Sequence, residues 1–136
     1  MDINSLLSRV VGLIKYDGKF SKISVIQAYP SVVKSTRLNK ICVAVGISGV
    51  NLHPSQIDSP ARAGEVSVFV DIFIPFKMDG IHASDVFIDI CDILSRSYNV
   101  MSVSASRLAV DECIQASVLK TSFTIYDQIS FGGDDY

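Results

Sequence analysis

Residue types able to do chemistry are few in this chain and poorly spaced for it. Histidine occurs twice, at His53 and His82. Neither has a second ligand at the close spacing that a zinc site requires. Cys42, Cys91 and Cys113 are scattered through apolar segments. An odd number of widely spaced cysteines argues against a disulfide framework and for reduced, buried thiols that pack as small hydrophobes. The stretch "VGISGV", residues 45–50, has neither the spacing of a dinucleotide fingerprint nor the lysine of a phosphate loop. Asp111 and Glu112 are adjacent acids at an expected hairpin turn. Turn chemistry accounts for them, whereas a carboxylate pair doing acid/base work is held apart around a substrate. The expectation is therefore a protein without catalytic residues, cofactor or metal. A small cofactor-free enzyme is the less favoured alternative, and it needs His53 or His82 to meet an acid or a cysteine in a concave site.

The rest of the composition points to a protein-binding surface. With 136 residues the chain has the length of one domain. Apolar residues make up 49% and charged residues 19%, where about 25% charged is usual. The longest apolar stretches run to about ten residues, half of what a membrane-spanning helix needs. The start, "MDIN", places an acid where a signal peptide carries a base. Neither a signal peptide nor a membrane anchor is expected, and a cytosolic site of synthesis is the expectation that follows. Charge is unevenly spread. Residues 1–40 hold seven bases (Arg9, Lys15, Lys19, Lys22, Lys34, Arg37, Lys40) against two acids, a balance of +5. The remainder holds five bases against twelve acids, a balance of −7. Ordinary solvated charges on a folded surface account for this, and complementary surfaces are the alternative that such asymmetry suggests. The bases form no dense cluster interleaved with aromatics, so specific nucleic-acid recognition is not expected.

Periodicity supplies the elements. Ile3, Leu6, Leu7, Val10, Val11 and Ile14 recur at helical spacing and predict a helix over 3–16. A strand is expected over 20–29, then a basic, turn-rich connection, then a strand from residue 41 to 52. Gly46 and Gly49 suggest a bulge or a close backbone approach in it. Residues 53–64, "HPSQIDSPARAG", lack any period and read as a long, functional loop. "EVSVFVDIFIPF", residues 65–76, alternates Val66, Val68, Val70, Ile72 and Ile74 against Ser67, Phe69, Asp71 and Phe73. A second helix is expected over 81–97 with the stripe Val86, Phe87, Ile90, Ile93 and Leu94. Strands over 100–110 and 113–126 follow, joined by "DEC". The fold class is α+β: one domain over 1–129, a mostly antiparallel sheet of about five strands, two helices on one face, order α-β-β-β-α-β-β. Residues 130–136 form an acidic tail expected to fray.

Two helices cover one face of such a sheet, and the other still carries Phe69 and Phe73. Leu119 and Phe123 in the last strand have the same ambiguous character. These four are the expected subunit-interface residues, since large apolar patches mark interaction surfaces. A curved sheet closed by its own loops is the competing explanation.

The succession of an amphipathic helix, "VAVGISGVNLHP", a long loop, "EVSVFVDIFIPF" with its "DG" turn and helix, and the closing "VSASRLAVDECIQASVLKTSFTIY" resembles the tail terminator (tail completion) proteins of tailed phages and related contractile particles. The resemblance runs over about residues 3–126 and rests on element order rather than on chemical signatures. It implies a non-enzymatic subunit that forms a ring, commonly a hexamer. Such a ring caps the last ring of the tail tube, stops its polymerisation and offers a docking surface to the neck or connector, and to the sheath end in a contractile particle. It implies residence in the virion tail or neck, DNA contact only as unspecific passage through the lumen, and no membrane partner. A neck adaptor or head-completion subunit of the same particle is the alternative. The family carries no residue-level motif onto this chain. From pattern alone, His53, Pro54, Gln56, Ile57, Asp58 and Arg62 are the expected tube- or neck-docking loop. Lys34, Arg37 and Lys40 are the expected basic face.

Overall fold

A computed structural model describes residues 3–18, 23–27, 40–52, 61–78, 83–112 and 114–130. The elements in chain order are α1 (Ile3–Lys15), β1 (Ser24–Gln27), β2 (Cys42–Leu52), β3 (Ala61–Pro75), a 3-10 turn (Phe76–Met78), α2 (Ala83–Ser97), β4 (Asn99–Ala105), β5 (Ala109–Asp111) and β6 (Ala116–Ser130). One six-stranded sheet runs in the order β1-β2-β3-β6-β4, with β5 also pairing β6. This is the expected α+β fold, with both helices on one face.

Alternation in β3 decides which face that is. Val66, Val68, Val70 and Ile72 are fully buried, and Ile74 nearly so. The register carries this choice across the sheet, because directly opposed residues share a face. Val43 opposes Ile72 and Val45 opposes Val70; Phe123 opposes Val68, and Ile125 opposes Val66. Leu6, Leu7, Val10 and Ile14 of α1 join Val86, Ile90, Ile93 and Leu94 of α2 over this surface in one core. Fully burying each such aliphatic chain contributes about 1.5–3 kcal/mol, so this layer is the main source of stability. Thr121, a polar side chain buried with it, is satisfied: its hydroxyl donates to the Val70 carbonyl at 2.7 Å.

Both helices end as their charges suggest. Lys15 lies in the last turn of α1, Asp85 in the first turn of α2 and Arg96 in its last turn, each favourable to the helix dipole. Arg96 pairs with Asp92 at 3.2 Å, an i, i+4 contact, and reaches Asp17 beyond α1 at 3.7 Å. It thus ties the two helices together at the surface. None of the described helices is long and apolar enough to cross a membrane.

Four details depart from the expectations. β1 is four residues long and runs parallel to β2, so the sheet is mixed, although every other pairing is antiparallel. β3 begins at Ala61, which takes Arg62 out of the expected loop and pairs it with Ile129. The expected fourth strand is broken into β4 and β5 by Ser106–Leu108, with the Ser106 amide held to the Lys120 carbonyl at 2.8 Å. Finally, β6 begins at Ala116 after a turn in which Gln115 has φ 53°, and its carbonyl accepts the Phe76 amide at 3.0 Å. The bulge expected in β2 is present, as a register shift between Ile47 and Gly49.

Candidate functional site

The chemical candidates come first. His53 and His82 lie outside the described residues, as does Cys113. Cys42 and Cys91 are free thiols, and both are half-buried rather than sealed in the core. Burial pushes the Cys91 thiol above its ordinary range, away from the reactive thiolate. Asp111 closes β5, and Glu112 is exposed on the turn that follows. Among the described residues no three His, Cys, Asp or Glu side chains gather where they could hold a metal ion.

The face opposite the helices is set by the odd-numbered residues of β3. Phe69 opposes Ser122, Asp71 opposes Lys120 and Phe73 opposes Val118. All three β3 residues are half-buried. Burial raises the Asp71 carboxyl above its ordinary value, and the Lys120 ammonium across the strand pair partly offsets this. A shallow depression of about 540 Å³ opens here, with Phe69, Asp71 and Lys120 in its lining and Ser48, Ser104, Ser106 and Ser122 around them. The outer face thus mixes serines and the opposed Asp71 and Lys120 with the apolar Phe69, Phe73 and Val118.

This geometry splits the four expected interface residues. Phe69 and Phe73 lie on the outer face. Leu119 and Phe123 do not: they oppose Ile72 and Val68 and belong to the chain's own core, Phe123 at 0% exposure with its ring 5.8 Å from that of Phe87. The expectation is corrected for these two. Parity within one strand says which residues share a face, but only the register says how two strands are phased. Of the expected docking loop, His53, Pro54, Gln56, Ile57 and Asp58 lie outside the described residues, and Arg62 stands in β3. Of the expected basic face, Lys40 is exposed just before β2, and Lys34 and Arg37 lie outside the described residues.

Of the exposed large apolar side chains among the described residues, four fall together along residues 101–110 at the sheet edge. In β4 every residue is exposed except the half-buried Val100. Met101 is 54% exposed, Val103 43%, Leu108 53% and Val110 62%. Here too a bulge intervenes. The register slips between Val100 and Ser102, so Val103 opposes Phe123 while Val100 opposes Ile125, and Met101 is left outside the ladder. Among the described residues no strand pairs with the far side of β4 or of β1. Natural edges are commonly guarded by lysine or proline, and residues 99–106, "NVMSVSAS", contain neither. That absence of charge was the available signal. It was unreadable as an edge without the strand order.

No family model matches the chain, and no curated protein matches it in sequence. Among solved structures the chain is similar to the sheath/tube terminator of PVC, an extracellular contractile injection system, determined by cryo-EM in the extended state. Identity is 12% over 98% of this chain, and the TM-score is 0.37. The match spans 57% of the terminator's own length. Likeness at this level shows no family.

Proposed function

We propose that the chain is a structural assembly subunit that forms a ring, caps a tail tube, halts its growth and presents a docking surface to the neck, or to the sheath end in a contractile particle. The observation carrying this reading is the sheet edge on which Met101, Val103, Leu108 and Val110 stand exposed, with no charged residue in β4 itself. Exposed apolar side chains grouped in this way mark a protein interface. Among the described residues the sheet ends in two unlike edges, β1 and β4, which suits head-to-tail contacts, the kind that close into rings. The element order, which resembles tail terminators along most of the chain, supplies the particle. The distant likeness to a sheath/tube terminator is in keeping with it but is not what it stands on.

Phe69 and Phe73, with the shallow depression beside them, form the surface offered to the tube end in this reading, and DNA passes through the lumen without specific contact. The test is removal of the gene followed by electron microscopy of the particles. Tails of uncontrolled length, or tails not joined to their heads or caps, are expected. Tails of normal length, properly joined, would end the proposal.

A further inference from the structure

We infer that the free edge of β4 pairs, antiparallel, with β1 of a second copy, so that the sheet continues from one subunit into the next. This deepens the ring reading and rests on it for the presence of neighbouring copies.

Strand direction supports the pairing. β3 and β4 both run antiparallel to β6, and β2 runs antiparallel to β3. β1 runs parallel to β2, so β1 and β4 point in opposite directions at the two ends of the sheet. A second copy set beside the first with its helices on the same side therefore presents β1 antiparallel to β4, the more stable geometry for edge pairing. Nothing needs to turn over for the sheet to continue.

Side chains and charges agree with this direction. β4 brings no charge to the seam, so no ion is desolvated when it closes. On the receiving edge, Val25 is buried beneath the helices, while Ile26 opposes Ala44 on the outer face and is 45% exposed. Pairing would cover Ile26 together with Met101 and Val103. The helices above the two edges differ in charge: setting aside Arg9, which lies over the Tyr98 ring, and the Asp92–Arg96 pair, which reaches Asp17, all within one subunit, α1 keeps Lys15 and no acid, whereas α2 keeps Asp85 and Asp89. The α1 end of one copy thus approaches the α2 end of the next with opposite sign, which a second copy satisfies and a two-fold pairing of β4 with β4 does not.

The test is disulfide trapping in the full-length chain with Cys42, Cys91 and Cys113 replaced by serine. Ile26→Cys is combined with Ser102→Cys or with Ser104→Cys, two of the β4 positions on the same outer face, because cysteines cross-link only when their Cα atoms are within about 7 Å. Each variant is first checked for parental melting, then oxidised free and on assembled particles. A ladder of covalent dimers, trimers and higher species is expected from at least one double variant, with single-cysteine chains remaining uncross-linked. A covalent dimer from Ser102→Cys or Ser104→Cys alone would show β4 pairing with β4 and overturn the inference. So would the absence of cross-links from both double variants in either setting. If rings form without these cross-links, only the edge pairing falls; if tails are normal without the gene, the terminator reading falls instead.

Discussion

Replacing Phe123 and Phe73 separately by alanine tests the division between a core face and an outer face. Phe123 is wholly buried and packs its ring against Phe87. Truncation removes its transfer free energy and leaves a cavity, a loss of about 3–5 kcal/mol for a buried phenylalanine. For a chain of 136 residues, at about 2.1 cal/mol/K per residue, the unfolding entropy is ~0.29 kcal/mol/K, so Phe123→Ala should lower Tm by ~10–17 °C. Phe73 is half-buried on the open face, opposite Cys42 and Val118. About half of a full burial term is at stake there, ~1–1.5 kcal/mol, which gives a shift of ~3–5 °C. Calorimetric melting of the isolated chain at one concentration reads both. If Phe73→Ala melts as low as Phe123→Ala, the outer face is a second core and the assignment of the two faces is wrong.

The remaining predictions follow from single features. Met101→Asp combined with Val103→Asp should leave melting within about 1 kcal/mol of the parent, as exposed substitutions do, while abolishing incorporation into particles scored by sedimentation. Thr121→Val removes a satisfied hydrogen bond inside the core and should cost about 1 kcal/mol by denaturant titration. Arg96→Ala breaks two exposed ion pairs and should change stability by less than about 1 kcal/mol. Asp71 is raised above its ordinary value near 3.8, mainly by burial, so the folded state binds its proton more tightly than the unfolded one. Stability therefore falls as pH rises from that value through the folded pKa. Asp71→Asn should flatten this part of the stability–pH curve, and an unchanged slope would show that Asp71 is not its source.

Much of the fold is legible in the sequence because its signals are local. The helix stripes, the buried alternation of Val66 to Ile74 and the bulge near Gly49 each follow from residues within one element. What is not legible depends on how elements are phased against one another. Phe69 and Phe123 carry the same chemistry, and only the opposition of Phe123 to Val68 sends them to opposite faces. The parallel setting of β1 leaves no mark in four residues. The exposed edge is hidden for a related reason: "VMSVSASRLAV" reads as an ordinary hairpin strand until the sheet order places it last. The candidate site was thus partly foreseen in Phe69 and Phe73, misassigned in Leu119 and Phe123, and missed at Met101 and Val103, where strand order outweighs composition.

Backbone hydrogen exchange of β4, followed by mass spectrometry in the isolated chain and in the assembled particle, tests the central claim most directly. The amides of Asn99–Ala105 that point away from β6 should exchange freely in the isolated chain and become strongly protected on assembly. Equal exchange of these amides in both states would contradict the account, because it would mean that no neighbouring subunit closes the edge.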